Sequence, residues 1–229
     1  IMDVSKYKVG QRFRKRHQDN PALILSWELY YQDMMVQTKK GPLIENYLDK
    51  LLYVMNQGRK ECSRIFAVRI DLHFPVNGNM ECENNSNAYI SNYISFLQWE
   101  LEVANTKYPP KLRYVWCREQ VDSIYPHYHL LLLLNGQAYR SLGRFNYELD
   151  NLFHRLVRAW SAAIGWPLES TYGLVNVAKD YESGRPYTWD FKRDDQAAFE
   201  NLFYGASYMC KAYTKPIGKG GHCFDGSRF

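Results

Sequence analysis

Residues 64 to 74 alternate apolar and polar side chains with period two. Phe66, Val68, Ile70 and Leu72 face one way, and Arg69, Asp71 and His73 the other, which predicts a strand with one polar face. Pro75 ends it, and an Asn- and Gly-rich loop follows. A second strand is predicted over residues 112 to 120. A third runs from His127 to Leu134 and holds five consecutive leucines, Leu130 to Leu134. The link Val121 to Tyr125 is short enough to join these two as a hairpin, and Asn135-Gly136 closes the third strand. Residues 173 to 178 predict a fourth. Helices are predicted from Pro21 to Gln37, with Pro at the first turn, and over 43 to 57, ending at Gly58. Further helices are predicted from Ser86 to Ala104, over 146 to 164 with Gly165 at its end, and over 195 to 213 with Asp194 as N-cap. A polar loop with Gly184 and Pro186 precedes the last. The order predicts an α+β fold, with a mostly antiparallel central sheet and helices packed on it. Residues 1 to 60 would form a basic arm and helical appendage, and residues 61 to 229 the main domain. No internal repeat and no Gly-rich phosphate loop occurs.

Composition adds limits. The chain has 229 residues, 46% of them hydrophobic and 23% charged, ordinary for a globular domain. The leucine run is far shorter than a membrane span, and no secretory signal is legible. Ile1 ahead of Met2 reads as a cloning remnant or as a cut from a longer chain. The five cysteines (Cys62, Cys82, Cys117, Cys210 and Cys223) include no CxxC pair. They indicate neither a zinc ribbon nor a disulfide framework, and point to a reducing, cytoplasmic compartment. The net charge is +5. Lys6, Lys8, Arg12, Arg14, Lys15 and Arg16 face only Asp3 in the first sixteen residues, an arm suited to phosphates, or else a solvated terminus. Aromatic residues make up 16% of the chain, with 19 tyrosines. Interleaved with basic residues they suit stacking on single-stranded bases.

The candidate chemistry begins at His127-Tyr128-His129. Side chains at i and i+2 of a strand share a face, about 7 Å apart, so the two imidazoles project together. Glu119 lies eight residues earlier, across the predicted hairpin. Two imidazoles and a carboxylate suit Mn²⁺ or Mg²⁺, and accept Zn²⁺ or Co²⁺. Otherwise Glu119 is a solvated turn residue. In the last helix Tyr204 and Tyr208 are four apart on one face, and Lys211, three beyond Tyr208, is a neighbour of Tyr208. A lysine there offsets the charge of a phenolate or holds a phosphate oxygen; the alternative is an aromatic stripe packing on the sheet. Asp71 and His73 repeat the i, i+2 geometry and read as a surface salt bridge, as support for the ligands, or as part of a nucleic-acid face. Cys210 reads as a buried thiol, and His154 as a surface or satisfied core residue.

These residues resemble a family. His127-Tyr128-His129 followed by leucines looks like the His-hydrophobic-His strand of the HUH endonucleases, which include rolling-circle replication initiators. Glu119 matches the place of a third ligand there, and Tyr204-x-x-x-Tyr208-x-x-Lys211 resembles the two-tyrosine motif of phage initiators. The succession RIDLHFP, YVWCREQ, PHYHLLLLLN, NLFHRLVRAWSAAIG, GLVNV, LFYGASYMCKAYTK and FDGSR looks like the inovirus gene-2-protein-like family of bacterial prophages, over about residues 64 to 228. Two features depart from the pattern. Tyr128 stands where an aliphatic residue is commoner, and Gly205 is a poor helix residue that would let DNA approach the backbone. The resemblance implies an HUH/RRM-like palm and a metal-dependent nicking and joining enzyme for single-stranded or hairpin DNA. His127, His129 and Glu119 would hold Mn²⁺ or Mg²⁺. Tyr208 would attack to leave a 5′-phosphotyrosine, with Lys211 stabilising charge and Tyr204 rejoining the strand. Arg12, Arg14, Lys15, Arg16, Arg69, Arg118 and Lys215 would contact the DNA, and a host helicase and polymerase would be further partners. The alternatives are a non-catalytic prophage DNA-binding regulator on the same fold and a water-using metal-dependent phosphodiesterase.

Overall fold

A computed structural model describes residues 15–76, 87–120, 125–219 and 221–228. The short strands β1 (Leu25–Ser26), β2 (Tyr30–Tyr31), β3 (Met34–Met35) and β4 (Leu43–Ile44) precede helix α1 (Glu45–Glu61). Strand β5 (Arg64–Leu72), helix α2 (Ala88–Val103), strands β6 (Arg113–Glu119) and β7 (His127–Asn135), and helix α3 (Leu152–Ile164) follow. Strands β8 (Val175–Val177) and β9 (Thr188–Lys192), helix α4 (Gln196–Ser207) and strand β10 (Phe224–Gly226) complete the chain.

The fold is α+β with an antiparallel central sheet ordered β10-β6-β7-β5-β8. Strand β9 pairs with the first half of β5, and β8 with its second half. Helices cover both faces. On one, Phe66, Val68, Ile70, Leu130, Leu132 and Leu134 pack against α2 and α3 through Tyr93, Leu97, Leu156 and Trp160. On the other, Ile65, Ala67, Val115, Leu131 and Leu133 meet Leu51 and Met55 of α1 and Leu202 and Phe203 of α4. Two buried faces explain the unbroken leucine run, because a strand covered on both sides has no position for polar side chains. The polar residues expected on β5 are therefore confined to its second half, where Arg69 is buried against the Gly205 carbonyl of α4 and Asp71 meets His129. Tyr128 packs in the first core, with its ring 6.3 Å from Trp160 at 74°.

Several expected elements differ. Pro21 to Gln37 is not helical. Gln32 (φ 46°) and Asp33 (φ 62°) are left-handed and turn a β2–β3 hairpin, a conformation no right-handed helix contains. The helix expected to stop at Gly58 runs three residues further, because that glycine seats α1 on Leu133. Within the expected appendage, α1 is a wall of the second core. Helix α3 begins at Leu152 rather than residue 146, where the Asn151 side chain accepts from the His154 amide; Gly165 (φ 65°) ends it as expected. The cap of α4 is Asp195 rather than Asp194. That helix stops at Ser207, and Tyr208–Cys210 continue as a 3₁₀ turn. Strands β9 and β10 fall in segments expected as loops. Arg12, Arg14, Cys82 and the hairpin link 121–124 lie outside the described residues.

The two helical glycines differ in what a Cβ would meet. At Gly58 it finds Leu133 Cδ2 at 3.4 Å, an ordinary contact. At Gly205 it strikes Trp189 Cζ2 at 2.6 Å. Gly58→Ala should therefore gain up to about 1 kcal/mol of helix propensity, whereas overpacking at Gly205→Ala should cost about 1–3 kcal/mol. Urea midpoints of the two variants test this, and equal midpoints would refute the assignment of Gly205 to packing.

Candidate metal centre

Pairing register builds the site. Glu119 lies opposite His127 across the β6–β7 ladder, Cys117 opposite His129, and Asp71 of β5 opposite His129 on the other side. Alternation sends Glu119, His127, His129 and Asp71 to the face that α1 and α4 cover farther along the sheet. One ligand atom each of Glu119, His127 and His129 falls within 4.8 Å of the others. Glu119 Oε2 is 3.3 Å from His129 Nε2 and 3.9 Å from His127 Nε2. The expected ligand set is thus assembled, and Glu119, 2% exposed, is no solvated turn residue.

The surrounding contacts prepare each donor. His129 Nδ1 lies 2.5 Å from Asp71 Oδ1. That contact keeps a proton on Nδ1, so that Nε2, once it has lost its own proton, becomes the donor to a cation. His129 Nε2 is buried and has no hydrogen-bond partner among the described residues. A buried imidazole nitrogen without a partner, beside a carboxylate oxygen, is a donor pair suited to a shared cation. Glu119 Oε1 accepts from Lys215 Nζ at 3.4 Å and faces the Cys117 thiol at 4.0 Å. That leaves Oε2 directed at the histidines, with Lys211 Nζ 3.1 Å away. His73 stacks on His127 with centroids 5.7 Å apart. The residues fit a divalent cation held by two imidazoles and one carboxylate oxygen.

Electrostatics follow from burial and neighbours. Burial alone would raise the Glu119 carboxyl, but contact with His129 and the charges of Lys215 and Lys211 hold it well below the carboxylate range. Burial, aided by the charge of His129, lowers His127 to about 4. Burial also disfavours charge on His129, yet Asp71 and Glu119 beside it raise its pKa above the ordinary imidazole value.

Tyr208 stands beside this cluster. Its ring centroid is 6.4 Å from that of His129 at 89°. Lys211 Nζ sits 3.7 Å above the same ring. Lys211 is not on the helix: its backbone is extended and bridges Leu43, so the ammonium reaches Glu119 and the ring face. Burial raises the Tyr208 phenol above its ordinary value, and the Glu119 charge adds to this. Arg69, Lys40 and Lys215 oppose it. Tyr204 goes elsewhere, into a crevice with Tyr187, Trp189 and Asn201. Tyr208, the residue at which α4 passes into the 3₁₀ turn, keeps right-handed helical backbone angles.

Of the five expected nucleic-acid cations among the described residues, three are interior. Arg69 is 4% exposed, Arg118 1% and Lys215 7%. Arg69 donates to the Gly205 carbonyl at 2.7 Å, Arg118 hydrogen-bonds Cys223, and Lys215 is held by Glu119. Lys15 and Arg16 are exposed. Sequence reasoning missed Lys215 as a partner of Glu119, for which the four-residue step from Lys211 was the available signal. It also missed Arg69 as the cation over Tyr208, 5.3 Å from the ring centroid; its i, i+2 spacing from Asp71 pointed there. Gly205 makes room for the Trp189 ring, which a Cβ would strike at 2.6 Å.

A model of the YagK/YfjJ C-terminal domain matches residues 28–227. The chain belongs to the YagK/YfjJ C-terminal domain family. Among its relatives, the uncharacterized protein YfjJ of Escherichia coli (strain K12) is 29% identical over 215 residues, covering 85% of this chain and all of that one. The uncharacterized protein YagK of the same organism is 30% identical over 202 residues, covering 82% and 95%. No solved structure matches the chain. Within this YagK/YfjJ-type domain, no helix of the described residues is long and apolar enough to cross a membrane.

Two outcomes are expected. At neutral pH His127 is already unprotonated and Glu119 ionised, so the proton on His129 is what a cation must displace. Mn²⁺ affinity should therefore rise by up to about tenfold per pH unit below the raised pKa of His129 and level off above it; isothermal titration across pH 5.5–8.5 checks this. Asp71→Asn should weaken Mn²⁺ binding about 10–100-fold on the plateau and flatten the pH dependence. Unchanged affinity would remove Asp71 from the site.

Proposed function

We propose that this protein nicks and rejoins single-stranded DNA in the manner of the HUH endonucleases, acting on phage or prophage DNA in a bacterial cytoplasm. The observation that carries this is the phenol of Tyr208 set against His129 of a buried Glu-His-His cluster. Support also comes from the fold. Adjacent antiparallel strands at the centre of the sheet carry Asp71, His127 and His129, as an HUH/RRM-like palm would require.

When held by Glu119, His127 and His129, Mn²⁺ or Mg²⁺ supplies charge neutralisation at a bound phosphodiester. The side chains do the rest. The Tyr208 hydroxyl oxygen forms a bond to phosphorus while the bond from phosphorus to the 3′ oxygen breaks. The phenol gives up a proton and the departing 3′ oxygen takes one, leaving a 5′-phosphotyrosine and a free 3′-hydroxyl. Rejoining runs the same exchange backwards. Burial keeps the Tyr208 phenol protonated at neutral pH, so phenolate must be favoured at the moment of attack. Arg69 near its ring supplies that bias. Lys211 contributes a second positive charge over the ring and fixes Glu119. With Tyr204 in its own crevice, one nucleophile carries the reaction.

Tyr208→Phe should abolish the covalent adduct with single-stranded oligonucleotides in Mn²⁺, and Tyr204→Phe should keep it within about threefold, less than 1 kcal/mol. Denaturing gels with labelled DNA read both. Cleavage with no adduct would indicate a water-using phosphodiesterase. DNA binding equal in chelator and Mn²⁺, with no cleavage, would indicate a binding regulator.

A further inference from the structure

Between β9 and α4 lies a cavity of about 400 Å³, within the size range of small-molecule sites. Trp189, Tyr187 and Tyr204 line it, with Asn201, Arg185 and Asp180 at its polar edge. The rings of Tyr187 and Trp189 lie nearly parallel, 17° apart with centroids at 5.5 Å. Their polar atoms are already engaged. Trp189 Nε1 donates to Asn201 Oδ1 at 2.7 Å, and the Tyr187 hydroxyl donates to Asp180 Oδ2 at 3.0 Å. These bonds hold both rings in fixed orientations. Gly205 is bare, so the rings rest directly on the helix backbone. Rigid, half-buried aromatic side chains lining a crevice suit stacking on an unpaired base.

The crevice is joined to the metal centre by one side chain. The Arg69 guanidinium is 4.8 Å from the Tyr187 ring centroid and 5.3 Å from that of Tyr208. Lysines flank the same path. The charge of Lys40 acts on Tyr208, and Lys39 lies beside Tyr204 and pairs with Glu182. Arg185 is exposed at the crevice edge. Aromatic faces bordered by cations thus lie one buried arginine away from the Tyr208 ring.

We propose that this crevice binds an unpaired nucleobase neighbouring the phosphate presented to Tyr208, with Tyr204 and Trp189 as its stacking surfaces. Tyr204 is thereby a base-binding residue rather than a second nucleophile. The inference rests on the single-stranded DNA reading above but does not require the chemistry.

The test uses the full chain carrying Tyr208→Phe, in chelator, so that no adduct forms. Single-stranded oligonucleotides with one 5-iododeoxyuridine at successive positions are irradiated, and the cross-linked peptides are identified. Cross-links from one position to Tyr187, Trp189 or Tyr204 are expected. Tyr204→Ala should weaken binding about fivefold to a hundredfold, while Tyr213→Ala, at an exposed tyrosine, should not. Circular dichroism confirms that the variants fold. Should Tyr204→Ala be misfolded, Arg185→Gln, at an exposed edge, gives the affinity readout. Cross-links confined to other segments, or unchanged affinity in the folded variant, overturn the crevice. Adduct formation by the parent chain in Mn²⁺ would in that case leave the nicking reading standing. No single-stranded DNA binding and no adduct would end both.

Discussion

A carboxylate cannot be buried without compensation, and Glu119 sets the terms for much of this molecule. At 2% exposure its charge is kept by Lys211, Lys215 and the histidines around it. Those two lysines come from a segment that is neither helix nor long strand. Lys215 reaches back to the carbonyl of Lys211 at 2.8 Å, and the Thr214 carbonyl accepts from the Gln120 amide at 3.1 Å. The Ala212 amide donates to the Pro42 carbonyl at 3.0 Å. The abrupt end of α4 is thus a consequence of the ion cluster: continuing the helix would carry Lys211 and Lys215 off along its axis and leave Glu119 unpaired. Tyr208 falls at this transition, with its ring set edge-on against His129.

Much of the scaffold was legible because it obeys simple periods. The alternation of β5, the leucines of β7 and the amphipathic α3 each announce an element whose burial then follows. The failures have physical causes. Strand β9 reads Thr-Trp-Asp-Phe-Lys, a good alternation with Phe191 buried and Asp190 outward, but its polar flanks resemble a loop. Strand β10 is three residues long and exists only because the edge of β6 is there to pair with it. The N-terminal hairpin depends on two left-handed residues, Gln32 and Asp33. Neither is glycine, so no turn signal marked them.

The site divides in the same way. His127 and His129 were legible from spacing alone, and Glu119 from hairpin proximity, since both are local relations. Asp71 shared a recognisable geometry with His73, yet its partner is fixed by the pairing of β5 with β7, strands almost sixty residues apart in sequence. Lys215 and Arg69 were legible as cations and misplaced as surface groups. Charge type is written in the sequence, whereas whether a cation faces solvent or a buried acid is decided by packing.

Arg69 shows where stability and function part. It is buried, it hydrogen-bonds a backbone carbonyl, and its Nε is orphaned among the described residues. A buried guanidinium left partly unsatisfied costs more than an apolar side chain of similar volume would. The neighbouring Ala67 and Ile65 on the same face of β5 show that an apolar residue suits this strand. Packing therefore gives no reason to keep an arginine here. Its contacts do: it lies against the rings of Tyr187 and Tyr208 at once. A cation in that place favours a phenolate at one end and an aromatic stacking surface at the other. On the proposed reading, the cost of that charge in β5 is offset by the alignment of the Tyr208 phenol with the crevice beside it.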